Sequence, residues 1–234
     1  MHSNGNGTAL KTKETQYQFE LDMALRDGFS RFGYMSNQTW KDDPRRLLFL
    51  LSRYKFVAKM LSGKKRVLEI GCADAFGTRL VSQEGCRVTA CDFDPVFIED
   101  AKERMKSDGW ACDTLVHDIL SGPVTPGDFD AAYTLDVFEH IVPESANAFV
   151  GNIAKSLSKS GVAIIGSPSL QSQTYASPAS KEGHVNCMDG KEYQKVMERH
   201  FENVFLFSMN DEMVHTGYHP MAHYLLCLCV GPKG

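Results

Sequence analysis

Between residues 66 and 167 the chain alternates short apolar runs with amphipathic stretches, and this alternation limits the fold more than any other feature. Residues 66–70, 86–91, 111–117, 129–135 and 161–167 read as strands, being short, apolar and bounded by turn residues. Residues 75–83, a stretch opened by Asp94-Pro95 and closing near Gly109, and residues 143–158 read as helices between them. Such repetition predicts an α/β fold, with a parallel sheet covered by helices on both faces.

The flanks break the pattern. Residues 1–15, Ser/Asn/Gly-rich at the start, have neither the basic nor the apolar region of a signal peptide and are expected to be a disordered tail. Residues 16–63 read as helical. Apolar residues recur at three- and four-residue spacing from Tyr17 to Phe32, and a second helix starts at Asp43-Pro44 and runs to Gly63. The aromatic residues Phe19, Phe29, Phe32, Tyr34 and Trp40 are expected to pack on the core. At the other end, residues 168–186 form a Ser/Gln/Pro-rich stretch without periodicity, long enough to suggest a functional loop. A helix begins at Asp189, and strands at 203–209 and 223–230 follow with no helix between them, which allows an antiparallel pair.

Composition narrows the function. A net charge of −4 gives no overall basic footprint, so nucleic acid is not the expected partner. No run of apolar residues is long enough to span a membrane. Seven cysteines without a CxxC pair suggest buried thiols in a reducing cytoplasm.

The strongest local signal is 67–77, VLEIGCADAFG, a strand entering a glycine turn and then a helix. Ligands of doubly wound sheets bind beyond the carboxyl ends of the strands, and Gly71 permits close approach to the backbone. The second strand ends at Asp92, placed to take two ribose hydroxyls. The third ends at Asp118, suited to an adenine amino group, with Phe93 and Ile119 flanking the base. The fourth ends at Leu135-Asp136. Each acid is also a plausible helix cap; three in this order favour a nucleoside-containing cofactor.

In these segments the chain resembles the class I S-adenosylmethionine-dependent methyltransferases, through Glu69-Ile70-Gly71, Asp92, Asp118 and the 135–141 stretch LDVFEHI. The resemblance covers about 67–230. It implies a doubly wound, seven-stranded Rossmann-like sheet over 64–234 with its last strand antiparallel, and S-adenosylmethionine held by Glu69, Gly71, Cys72, Ala73, Asp92, Phe93, Asp118, Ile119 and Leu135. It also casts the 16–63 extension as a lid, whose Arg45, Arg46, Arg53 and Lys55 are candidates to meet a carboxylate or an anionic substrate. Ala73 and Ala75 depart from the family's glycines, so a tighter turn, or a methionine end held differently, is expected.

An oxygen acceptor needs a base or a metal. If 136–140 forms a helical turn, Asp136, Glu139 and His140 share one face, and His184 can join from the long loop. The pattern resembles the metal site of small-RNA 2′-O-methyltransferases and of ubiquinone-biosynthesis O-methyltransferases, with Asp136 one methylene shorter than their acid. A mixed oxygen and imidazole set suits Mn²⁺, Fe²⁺, Co²⁺ or Zn²⁺, with Mg²⁺ also open. Alternatives are a metal-free base at His140 or His184, or structural roles. A further histidine group, His215, His219 and His223, falls in a Gly/Pro-broken loop, which favours satisfied or exposed side chains; the resemblance implies that this loop borders the acceptor pocket. The reading is therefore O-methyl transfer to a small hydroxylated molecule. N-methyl transfer to an amine, RNA 2′-O-methylation and a non-catalytic cofactor-binding partner are the alternatives, and the oligomeric state is open.

Overall fold

In a computed structural model, which describes residues 10–233, one unit ends at Arg31 and a second begins at Phe32. Most of the tail expected over 1–15 lies outside the described residues. The first unit holds a 3-10 turn, Thr15–Tyr17, and helix α1 (Gln18–Asp27). The helix stops five residues earlier than its apolar spacing suggested, because Gly28 takes a left-handed φ of 82°. None of its residues is buried, and Phe19 and Phe29, like Tyr34 and Trp40 further on, are exposed, so the expectation that these four rings join the core is wrong; only Phe32 is partly buried.

The second unit opens with α2 (Tyr34–Asp42) and α3 (Arg45–Met60). The helical region read as one lid is thus split between the two units. There follow β1 (Arg66–Ile70), α4 (Thr78–Ser82), β2 (Arg87–Asp92), α5 (Pro95–Ser107), β3 (Asp113–Val116), β4 (Phe129–Leu135), α6 (Ala146–Ser156) and β5 (Leu157–Pro168). Then come α7 (Pro178–Gly183), α8 (Gly190–Glu198), β6 (Phe201–Asn210), β7 (Met213–His215) and β8 (Tyr224–Pro232).

The strands form a single sheet in the order β3-β2-β1-β4-β5-β8-β6-β7. The first five are parallel, and β8 runs antiparallel between β5 and β6. The last strand is antiparallel as expected. There are eight strands rather than seven, because residues 213–215 fold back onto 208–210 as an extra edge strand.

Alternation along the strands divides the core. Leu68, Ile70, Ala132 and Ile165 face α6 and α8 with Phe149, Ile153 and Tyr193, while Val67, Ala131, Tyr133 and Ile164 face α3 with Tyr54 and Val57. Burial on both faces explains why these strands read as unbroken apolar runs. The order of the strands reverses direction at β1 and β4, which makes their carboxyl ends the switch point where such sheets bind ligands.

Candidate active site

A cavity of about 410 Å³ opens at that switch point. Its floor is the β1 turn, with Gly71, Cys72, Ala73, Asp74, Phe76 and Gly77; Leu135 and Asp136 line it from the end of β4. The walls come from α2 (Met35, Ser36, Thr39), from one face of α3 (Arg46, Phe49, Leu50, Arg53, Tyr54) and from Glu139, His140, Ser180 and His184.

The turn is built from a succession of left-handed residues: Gly71 at φ 73°, Ala73 at 46° and Ala75 at 50°. The alanines therefore keep the conformation that glycine would favour. Gly71 is required twice over, since a Cβ there would also fall 2.2 Å from Val137 Cγ2. Asp92 fastens the turn from the end of β2. Its Oδ2 accepts from Ala73 N at 2.9 Å and its Oδ1 from Asp94 N at 2.9 Å. Glu69 braces it from below, accepting from Tyr54 Oη at 2.7 Å and Thr78 Oγ1 at 2.5 Å. Burial raises the Glu69 carboxyl above the usual carboxylate range.

Of the cofactor residues expected from sequence, Gly71, Cys72, Ala73 and Leu135 line the cavity, while Glu69, Asp92, Phe93, Asp118 and Ile119 do not. Glu69 lies under the floor, 1% exposed. Ile119 points into the core on the α6 side, so its expected place beside a base is corrected. Asp118 is exposed and caps a 3-10 turn by accepting from Leu120 N at 2.8 Å. Phe93 stands free at 72% exposure. Cys72 is buried, which pushes its thiol far above the ordinary range and leaves it unreactive.

Sequence reading missed the docking of α2. Ser36 donates to Asp74 Oδ2 through both its amide, at 2.8 Å, and its hydroxyl, at 2.7 Å. Tyr34 N donates to Asp100 Oδ2 at 3.2 Å. The exposed amides of a helix start are thus satisfied by two carboxylates from elsewhere in the chain, one of them inside the turn itself. The nine-residue helix has no apolar period that would have revealed it.

Beyond β4, Asp136 takes a left-handed φ of 57° before the 3-10 turn Phe138–His140. It therefore does not share a face with Glu139 and His140, as the helical-turn expectation required. Its carboxylate goes to Arg53 of α3. The other three residues do converge: one donor atom each from Glu139, His140 and His184 lies within 4.8 Å of the others, the only such set among the described residues. The two imidazole rings stand 5.2 Å apart, centroid to centroid, at 70°. Glu139 is 1% exposed, with Ser167 Oγ donating to Oε2 at 3.3 Å. Burial first, and then the Asp136 charge, raise its carboxyl well out of the usual range. Burial and neighbouring His140 lower the His184 pKa. The second histidine group does not converge. His215 Nε2 lies 2.9 Å from Asn210 Oδ1, whereas the His223 ring lies against Phe49.

Comparison with known proteins agrees with the fold. Residues 67–161 match the family model described as a methyltransferase domain. The mitochondrial ubiquinone biosynthesis O-methyltransferase of Schizosaccharomyces pombe is 32% identical over 117 residues, 49% of this chain and 40% of that enzyme. The chain spans about half the length of the curated relatives it matches. Among solved structures, the methyltransferase domain of bacterial CtHen1-C superposes with a TM-score of 0.65 at 17% identity, covering 78% of this chain and 99% of that one. The N-methyltransferase NodS of Bradyrhizobium japonicum WM9, in complex with S-adenosyl-L-homocysteine, gives 0.54 at 20% identity, over 83% and 88% of the two chains. No described helix is long and apolar enough to cross a membrane.

Proposed function

We propose that the chain, whose residues 67–161 are a class I S-adenosylmethionine-dependent methyltransferase domain, transfers a methyl group to a hydroxyl of a small molecule. One observation carries this reading: Glu139, His140 and His184 converge in the same cavity that the β1 turn lines. The turn suited to the cofactor and the group of candidate proton acceptors thus line one cavity. The curated relatives named as ubiquinone biosynthesis O-methyltransferases support oxygen as acceptor.

S-adenosylmethionine, when bound, supplies an electrophilic methyl group and requires orientation more than activation by the protein. The Gly71–Ala73 backbone, which lines the cavity, takes the methionine end. Asp92 holds that backbone in place and, with Asp118 just beyond the end of β3, offers carboxylate oxygens to the nucleoside. Phe93 supplies an exposed apolar face for the base. Helices α2 and α3 wall the cavity against water, which would otherwise compete with the acceptor.

The donor set also fits a divalent cation. Glu139 is a buried carboxyl with one weak hydroxyl partner, beside two imidazoles, and a cation would offset its burial. Glu139, His140 and His184 would hold the ion, which supplies Lewis acidity toward acceptor oxygens. Without one, an imidazole Nε2 accepts the acceptor's proton; the lowered pKa of His184 keeps that ring neutral and able to do so.

N-methyl transfer fits less well, because of the two acids expected at the acceptor Asp136 is neutralised by Arg53 and only Glu139 remains to hold an amine. The test is transfer of labelled methyl from S-adenosylmethionine to a panel of catechols, sugars and amines, with and without Mn²⁺. Label on oxygen acceptors, lost in His184→Ala, supports the proposal; label on amines alone overturns it.

A further inference from the structure

We propose that Gln173 is a positioning residue that fixes His184 as the Nδ1–H tautomer and so presents its Nε2 lone pair to the cavity. A chain of hydrogen bonds from Ser169 to His184 gives each proton one place to go. Ser169 is fully buried, and its hydroxyl donates to Ala222 O at 2.6 Å, beside β8. The Ser172 hydroxyl donates to Ser169 O at 2.7 Å. Its single proton is then committed, and toward any other neighbour it can only accept. That neighbour is Gln173 at 3.1 Å, whose same amide end also lies 3.3 Å from the Ser169 carbonyl oxygen. Two acceptors on one side require the NH₂ of the amide there, which turns its oxygen the other way.

The Gln173 oxygen lies 3.0 Å from His184 Nδ1. An amide oxygen only accepts, so Nδ1 carries the proton and, in the neutral ring, Nε2 is left bare. The other imidazole is fixed by the same logic from a different source. His140 Nδ1 lies 2.8 Å from Gly183 O, and a carbonyl again accepts only. Both rings therefore present Nε2 as an acceptor, whether toward a proton or a cation. The two locks differ in kind: backbone holds His140, whereas a single replaceable side chain holds His184.

The use made of that lone pair rests on the proposed function; the tautomer itself does not, and it is measured directly. The experiment is long-range ¹H–¹⁵N correlation on the full chain, ¹⁵N-labelled at histidine and treated with EDTA, at pH 8, with His184 assigned through His184→Asn. In the parent protein Nδ1 of His184 gives the protonated, pyrrole-type signal and Nε2 the unprotonated one. Gln173→Leu and Gln173→Met shift the population toward Nε2–H. Gln173→Glu, which keeps an acceptor facing Nδ1 once the Ser172 hydroxyl rotates to donate to it, restores the parent pattern. His140 is unchanged in all three. An Nε2–H signal in the parent, or an unchanged His184 pattern in a folded Gln173→Leu or Gln173→Met protein, overturns the proposal. If either variant fails to fold, the parent spectrum and the other variant still decide. Calorimetry with S-adenosylhomocysteine on the same samples reports on the cofactor reading separately.

Discussion

Arg53 Nη1 lies 2.6 Å from each carboxylate oxygen of Asp136, joining the middle of α3 to the end of β4 in the lining of the cavity. The guanidinium also lies 3.8 Å above the Tyr224 ring, and Tyr224 Oη accepts from Asp136 N at 3.1 Å. The pair is mostly withdrawn from water, with side-chain exposures of 14% and 31%. Removing one partner leaves a half-buried charge unpaired. Arg53→Met is expected to cost about 2–3 kcal/mol, as is typical of hydrogen bonds to charged groups. The Arg53→Met/Asp136→Asn double variant is expected to regain part of that loss. Urea unfolding of the four proteins of the cycle measures the coupling.

The alanines of the β1 turn give a second expectation. An L-residue in the left-handed region is strained by about 1–2 kcal/mol, and glycine gives back about 0.5–1 kcal/mol in chain entropy. Ala73 is partly exposed, so Ala73→Gly is expected to stabilise by about 0.5 kcal/mol. Ala75 is fully buried, and losing its methyl costs about 0.8 kcal/mol, so Ala75→Gly is expected to be neutral or slightly destabilising. Thermal unfolding of the two variants side by side shows whether their order is as stated.

A third expectation concerns acid. Burial lowers the pKa of His200, whose Nε2 has no partner, with Arg199, Lys155 and Lys233 adding to the effect. The folded state therefore binds this proton less readily than the unfolded chain. The neutral ring's contribution is complete above the unfolded pKa of about 6.5 and is lost as pH falls through it toward the folded value. Glu139, with a raised pKa, acts in the opposite sense, so the comparison must be differential. Between pH 7.5 and 5.5, the parent protein is expected to lose stability relative to His200→Gln. Urea midpoints at both pH values, with the difference unchanged, would contradict this.

The parts legible in the sequence share a physical cause. Strands β1 and β4 were read to the residue because burial on both faces demands apolar runs, and their ends are marked by Gly71 and Asp136. The Glu139–His140–His184 set was legible through the adjacent Glu-His pair and its resemblance to a known metal-site stretch with a later histidine, and the three donor atoms do converge. Helix α2 was not, because its sequence YMSNQTWKD lacks an apolar stripe and it docks through amides onto Asp74 and Asp100. Strand β7 is three residues of hairpin with no pattern of its own. Two short helical segments, Gln171–Tyr175 and Pro178–Gly183, were hidden in the Ser/Gln/Pro-rich stretch and carry the partners of both imidazoles. The misplacement of Asp136 arose from assuming a helical turn where the backbone goes left-handed, a conformation that aspartate tolerates and that spacing alone does not reveal.

The most direct test of the account is isothermal titration of S-adenosylhomocysteine into EDTA-treated protein, followed by titration of Mn²⁺ into the parent and into His140→Ala/His184→Ala. The account predicts micromolar binding of S-adenosylhomocysteine without cation, lost in Gly71→Val, and Mn²⁺ binding in the parent that the double variant lacks. Absence of heat with S-adenosylhomocysteine would contradict the assignment of the cavity. Cofactor binding with equal Mn²⁺ affinity in both proteins would contradict the cation site and leave the histidines as proton acceptors alone.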